Sequence, residues 1–317
     1  MHRRSHLGVA ALAISLVVPL GLATTSSAAP SPIGPVSVLA TLALKYGQLP
    51  ENIALAPDGS VDVNFNGANE LANISSTGTI TPLGALPSVP GGGTGTPLLK
   101  MPFSAGMVNN NGAIYSVFST GVASLNGVYR TLPGDAPVLI APLPAGSLAN
   151  GLAENFTTGT LYITDSALGK VWTVSAAGGT PTTWASGPLL AGVKGFGANG
   201  LKLHAGALYV SNTSLGTLIR IPVLKNGKAG VAKVVAKGLT SIDDFAFIPG
   251  TNNLIAALNF ANEVAYVQAN GAHSIILTAA NGLENPSAVA ISGSTVYITN
   301  ADYYTLAGPS VMEAPLN

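Results

Sequence analysis

The chain has no cysteine, only four histidines, and charge on just 8% of its 317 residues. Without cysteine there are no disulfides, no lipid attachment at a cysteine and no thiolate metal site, so packing alone must stabilise the fold. Two of the histidines lie within the first six residues. The others, His204 and His273, stand far apart and near no serine that would serve as a nucleophile, which argues against a Ser-His-Asp triad and leaves both as surface or loop residues. Lys+Arg and Asp+Glu balance at 13 each. A sparse, balanced surface of this kind argues against a nucleic-acid partner and against an anionic membrane surface. No long stretch keeps helical periodicity, and beyond residue 29 no run of 18 apolar residues is free of Gly or Pro, so no membrane span is expected there.

What the chain does contain is a leader and a repeat. Residues 1–29 combine a basic start (His2, Arg3, Arg4), an apolar run from Leu7 to Leu22 and a small polar segment ending in Ala28-Ala29. These are the parts of a secretory signal peptide cleaved near Ala28 or Ala29, so the protein is expected to be secreted, to the exterior or to a periplasm. Residues 149–180, ANGLAENFTTGTLYITDSALGKVWTVSAAGGT, hold a short apolar strand, a turn at Thr158-Gly159, an alternating strand, a turn at Leu168-Gly169 and a third strand. The second strand recurs as SVDVNFN (60–66), AIYSVFS (113–119), TLYITDS (160–166), ALYVSNT (207–213), NLIAALN (253–259) and TVYITNA (295–301), a period of about 42 to 53 residues. Six copies predict an all-β fold, a six-bladed β-propeller of four-stranded antiparallel blades. Residues 36–317 form this single domain, with 30–35 as an extended linker. The last repeat supplies three strands of its own, so VSVLATLALKY (36–46) is read mainly as the N-terminal strand that closes the ring and covers its edge.

Candidate chemistry sits at the start of each innermost strand, where residues point towards the central channel. Aligning the repeats on the second strand puts Glu51, a residue near Ala105, Asn150, Asn199, Asp243 and Pro286 in one register. Two carboxylates and two carboxamides thus converge from four blades. All are hard oxygen donors, and the two negative charges balance a divalent ion. The set suits Ca2+ best, with Mg2+ or Mn2+ and retained waters as alternatives; Zn2+ is a further option that lacks its usual His and Cys partners.

Glu51, Asn150-Gly151-Leu152-Ala153 before LYITDS, Asn199-Gly200-Leu201 before LYVSN, and Asp243 ahead of an apolar strand together resemble the senescence marker protein, gluconolactonase and luciferin-regenerating enzyme family, related to the strictosidine-synthase-like propellers. The resemblance runs from about residue 45 to 302. It departs from the family at Glu51-Asn52-Ile53, where Glu-Gly-Pro is usual, and at Asp243-Asp244, where Asp-Gly is usual. It implies that Glu51, Asn150, Asn199 and Asp243 hold a divalent cation and that the activity is lactone hydrolysis. The metal would then polarise an ester or lactone carbonyl, with Asp243 touching it and activating water as general base. Alternation along a strand lets only one of Asp243 and Asp244 face the axis, and the register favours Asp243.

Two other functions stay open: a non-hydrolytic propeller enzyme that cyclises or condenses a small natural product, and a non-catalytic ligand-binding propeller. Residues 88–103 and 187–198 carry Leu, Phe, Val and Gly with one lysine each and are expected to rim the metal mouth, which suits a fairly apolar small-molecule substrate. The remaining marked residues read as structural. Either Asn-Gly pair taken alone also reads as turn chemistry, as do the polar ends of TDS (Asp165) and SNT (Asn212); Asp58-Gly59 is a hairpin turn, Trp172 and Trp184 read as core, and Tyr303-Tyr304 reads mainly as aromatic packing, with a pocket wall as the alternative.

Overall fold

The computed structural model describes residues 31–90 and 95–317. The leader assigned to residues 1–29 lies outside the described residues. Six four-stranded antiparallel sheets form the propeller. The N-terminal strand is β1 (Ser37–Thr41). Blade 1 holds β2–β5 (Pro50–Leu55, Val61–Phe65, Glu70–Ile74, Ile80–Ala85), and blade 2 holds β6–β9 (Phe103–Asn110, Ala113–Ser119, Gly127–Thr131, Val138–Pro142). Blade 3 holds β10–β13 (Ala149–Asn155, Thr160–Asp165, Lys170–Ser175, Thr182–Ser186), and blade 4 holds β14–β17 (Ala198–His204, Ala207–Asn212, Thr217–Pro222, Lys233–Lys237). Blade 5 holds β18–β21 (Ile242–Phe247, Leu254–Leu258, Glu263–Val267, His273–Leu277), and blade 6 holds β22–β24 (Pro286–Ser292, Thr295–Asn300, Ser310–Pro315).

The first strands β2, β6, β10, β14, β18 and β22 touch one another in that cyclic order and ring the axis. Ring closure follows the sequence pattern, for β1 pairs with β24 and completes the sheet β1-β24-β23-β22. The strand covers only part of residues 36–46, because Leu44–Tyr46 turns into a short 3-10 helix capped by Gly47 at φ 71°. Within the 30–35 segment expected as a linker, the described residues differ: Ile33 bridges Leu316 and is buried, and the Gly34 N–H donates to the Pro315 carbonyl at 2.8 Å. Residues 31–35 are thus tied to the C-terminal strand. Among the described residues no helix is long and apolar enough to cross a membrane.

Period-2 alternation gives each blade two apolar faces, and these meet between neighbours. Val289 and Ile298 of blade 6 pack with Ala257 and Val264 of blade 5, and Val63 and Phe65 of blade 1 with Ala288 and Tyr297 of blade 6. Phe65, Phe118 and Phe245 are wholly buried. Truncating Phe245 to alanine should cost about 3–5 kcal/mol, since the two packed sheets cannot collapse into the gap.

Candidate functional site

Each inner strand begins with an irregularity. Between Pro50 and Ile53, Ala149 and Leu152, Ala198 and Leu201, and Ile242 and Phe245, two residues oppose one on the second strand. Such bulges bend the strand and re-aim the extra side chain. The bulge residues are Glu51-Asn52, Asn150-Gly151, Asn199-Gly200 and Asp243-Asp244, so the register inferred from the repeats falls on the bulges. Blade 2 carries Ala105-Gly106 there. In blade 6 the pairing of Val289 with Ile298 makes Ser287, not Pro286, the equivalent position, a one-residue correction that alignment on the second strand alone did not resolve.

In blades 1 to 5, polar side chains at the end of the second strand hold these starts in place by bonding the next blade. Asn66 Oδ1 accepts from Ser104 N at 2.8 Å and Ser119 Oγ from Ala149 N at 2.9 Å. Ser166 Oγ donates to the Ala198 carbonyl at 2.8 Å, Thr213 Oγ1 to the Ile242 carbonyl at 2.8 Å, and Asn259 Nδ2 to the Pro286 carbonyl at 3.2 Å. The glycines of the two Asn-Gly pairs serve the same closeness. A Cβ on Gly151 would run into the backbone of Asn199 and Leu201, and one on Gly200 into Asp243 and Asp244. Their role is inter-blade approach, which corrects the turn reading.

Glu51, Asn150, Asn199 and Asp243 line a single cavity of about 330 Å³ at the end of the channel where the inner strands begin. Both asparagines are anchored through their amide nitrogen: Asn150 Nδ2 donates to Ser166 Oγ at 3.2 Å and Asn199 Nδ2 to Thr213 Oγ1 at 2.8 Å. Asn199 Oδ1 is left buried with no hydrogen-bond partner. Orphaned buried oxygens are rare in folded proteins and call for an explanation such as an ion.

The acids tell the same story. Glu51 is 4% exposed and Asp243 7%. Burial pushes the Glu51 carboxyl up to about 8, against the lowering effect of its hydrogen bond from Tyr303 and with a contribution from the Asp244 charge. Burial, then the charges of Glu51 and Asp244, raise Asp243 well above the usual carboxylate range, opposed by Asn199 and Lys202. A divalent cation would relieve both through direct attraction, so the donor chemistry fits a hard metal ion. The set holds two acids only, and among the described residues no three His, Cys, Asp or Glu side chains cluster as a metal site.

Asp244 also turns into the channel, which corrects the expectation that only one of the pair does so. In the bulge the period of two is broken, and Asp244 accepts from Asn52 Nδ2 of blade 1 at 3.0 Å across the axis and from Lys202 Nζ of blade 4 at 2.5 Å. Asn52 in turn accepts from Met107 N at 3.3 Å. Asp243 lines the cavity and Asp244 does not. Asn52, Asp244 and Lys202 thus form a strut between blades 1, 4 and 5.

Tyr303 and Tyr304 line the cavity, as in the alternative to the packing reading. The Tyr303 hydroxyl donates to Glu51 Oε2 and accepts from Asn66 Nδ2 at 2.9 Å; burial, then Glu51, raise its pKa well above the usual phenol value. No spacing in the sequence points to it, because it comes from the loop before β24 rather than from the repeat. Both loops expected at the rim do contribute, through Leu99, Met101, Phe103 and Phe196, joined by Leu49 and Phe260. Asp165 and Asn212 are structural as expected. Asp165 accepts from the Leu148 and Leu168 N–H groups and from Trp172, and Asn212 donates to the Leu189 and Ala191 carbonyls. His204 stacks on Phe247 at 3.8 Å between centroids, remote from the donor set.

No family model matches the chain, and no curated protein matches it either. Solved structures do. A gluconolactonase from Xanthomonas campestris superposes with a TM-score of 0.63 at 14% identity, over 92% of this chain and 99% of that one. The PQQ-bound form of an aldose sugar dehydrogenase from Streptomyces coelicolor gives 0.59 at 16% identity, over 90% and 99%. An auxiliary nutrient binding protein from Bacteroides ovatus gives 0.64 at 12%, over 88% and 76%. The chain shares their fold. At these identities the likeness is one of architecture, and the three proteins, two enzymes and a binder, share a propeller without sharing a task.

Proposed function

We propose that this propeller is a secreted, divalent-cation-dependent hydrolase of lactones or related small esters, with Ca2+ the preferred ion. The observation that carries the reading is the meeting of Glu51, Asn150, Asn199 and Asp243 at one apolar-walled cavity, with Asn199 Oδ1 buried and unpartnered. These four residues would hold the cation, which when bound supplies a Lewis acid for the substrate carbonyl. The chain supplies the rest. Ser166 and Thr213 fix the asparagine amides by their nitrogens. Tyr303 and Asn66 fix Glu51. Asp243 takes the proton of the attacking water as the new carbon–oxygen bond forms and returns it to the leaving alkoxide as the ester bond breaks. Leu99, Met101, Phe103 and Phe196 exclude bulk water and favour a fairly apolar substrate.

The test is metal content by atomic spectroscopy for wild type, Glu51→Gln and Asp243→Asn, with ester and lactone hydrolysis followed with and without chelator. One ion per chain, lost or weakened in both variants, and chelator-sensitive release of acid are expected. A folded protein that takes up no divalent ion sinks the proposal. Export is tested by N-terminal sequencing of the protein recovered outside the cell, which should begin at residue 29 or 30.

A further inference from the structure

One wall of the cavity is a row of three aromatic rings brought from different parts of the chain. Phe196 lies just ahead of β14, Phe260 on the 3-10 turn Asn259–Ala261 after β19, and Tyr304 in the loop before β24. The Phe196 and Phe260 centroids are 6.4 Å apart with planes at 47°, and those of Phe260 and Tyr304 6.0 Å apart at 40°. The row is therefore continuous and its members tilt relative to one another. It is not core, for Phe260 is 48% and Tyr304 68% exposed. Large apolar side chains left in water at the mouth of a cavity mark a ligand surface more than a packing need.

The backbones that carry Tyr304 and Phe196 are hydrogen-bonded. Tyr304 N donates to Asn285 Oδ1 at 3.3 Å, and the buried Asn285 is itself held by Asn262 Oδ1 at 2.8 Å and by the Asn259 carbonyl at 3.4 Å. The Phe196 carbonyl accepts from Ser214 N at 3.0 Å. Backbones fixed before a ligand arrives keep the ordering cost of binding low. Chemistry narrows the ligand further. Among the described residues no Lys, Arg or His lines the cavity, and its polar lining beyond the four oxygen donors is Asn66, Thr213, Asn259, Tyr303 and Tyr304. A carboxylate or phosphate on the substrate would find no cationic side chain in the wall and would face Glu51 and Asp243.

We propose that the cavity takes an uncharged substrate whose aromatic ring lies against Phe196, Phe260 and Tyr304, so that the group cleaved is an aryl or aryl-fused ester or lactone. The ester rests on the hydrolase reading above; the ring site does not. In chelator, 2-naphthol and its saturated counterpart decahydro-2-naphthol are titrated by calorimetry into wild type, Phe260→Leu and Tyr304→Ala, each checked for wild-type circular dichroism. The expected result is binding of the aromatic alcohol about tenfold tighter than of the saturated one, with the preference lost in Phe260→Leu, which keeps apolar area but not the ring. Equal binding of the two alcohols, or a preference unchanged in both variants, overturns the proposal. A second arm compares naphthyl and hexyl acetates with Ca2+ present. Ring binding without hydrolysis of either ester supports the ring site and removes the hydrolase reading. Hydrolysis of the hexyl ester alone, with no ring binding, does the reverse.

Discussion

The two ends of the central channel are built from the same six strands and differ in kind. Where the strands begin, the bulges send successive residues inward, and Glu51, Asn150, Asn199 and Asp243 converge on one cavity. Where the strands finish, pairing is regular, and a second cavity of about 440 Å³ is lined mainly by residues such as Leu55, Leu203, Ala246 and Ile291. Two polar groups there pair with a neighbouring blade. Asn109 Nδ2 donates to Asp62 at 2.6 Å and Asn110 Nδ2 to Glu154 Oε1 at 2.9 Å. Regular alternation spaces like positions one per blade, while a bulge adds a second residue to the axis. Charge is thus concentrated at one mouth and dispersed at the other, with the strut of Asn52, Asp244 and Lys202 between the two groups.

The sharpest break of this contrast is Asp243→Asn. It should lower kcat/KM for a hydrolysed ester by about a thousandfold while leaving the thermal midpoint measured in chelator equal or higher, because it removes a buried carboxyl from the metal-free site. Loss of activity through unfolding would instead show in the midpoint.

The next contrast is pH. Glu51 titrates at about 8 in the folded chain against an ordinary 4.5, and Asp243 is raised too. The folded state therefore holds protons that the unfolded state has released. Stability of the metal-free protein is full below about pH 4.5 and falls as pH rises towards 8, by an amount of the order of a few kcal/mol. Urea midpoints in chelator at pH 5 and pH 8 measure this, and added Ca2+ should reverse the loss at pH 8. A midpoint independent of both pH and Ca2+ would contradict the concentration of charge at this mouth.

Lys202→Met probes the strut. It strands Asp244, 2% exposed, and should cost about 2–3 kcal/mol, less than for a fully buried pair because the lysine side chain is 29% exposed. The smallest effect is expected at the far mouth. Glu154 has one oxygen without a partner, and burial raises its pKa, so Glu154→Gln should change stability by less than about 1 kcal/mol and leave metal content untouched. A large loss of bound metal in this variant would mean that the two ends are coupled.

Much of this was legible beforehand because it is local or periodic. The second strands appear where the alternating runs stand, and the common register of Glu51, Asn150, Asn199 and Asp243 follows from repeat spacing alone. The misses share one cause. Tyr303, Asn52 and the orientation of Asp244 depend on residues brought together over sequence separations of 252 and 192 positions, for which neither spacing nor propensity offers a signal. Tyr304 read as packing because an aromatic pair in a loop has no periodicity to say which way it faces. Residues 30–35 read as a linker because Pro-rich composition does not reveal that Ile33 meets Leu316.

By itself, then, the sequence determined the number of blades, the closing strand and the common register of Glu51, Asn150, Asn199 and Asp243, since these follow from alternation and turn chemistry within about 50 residues. Only the tertiary structure decided that Asp244 turns into the channel together with Asp243, that Asn199 keeps a buried oxygen unpartnered, and that three rings from separate loops form one wall. The physical reason is ring closure: it brings the starts of all six inner strands to one axis, and the loops beyond them acquire neighbours that no local pattern encodes.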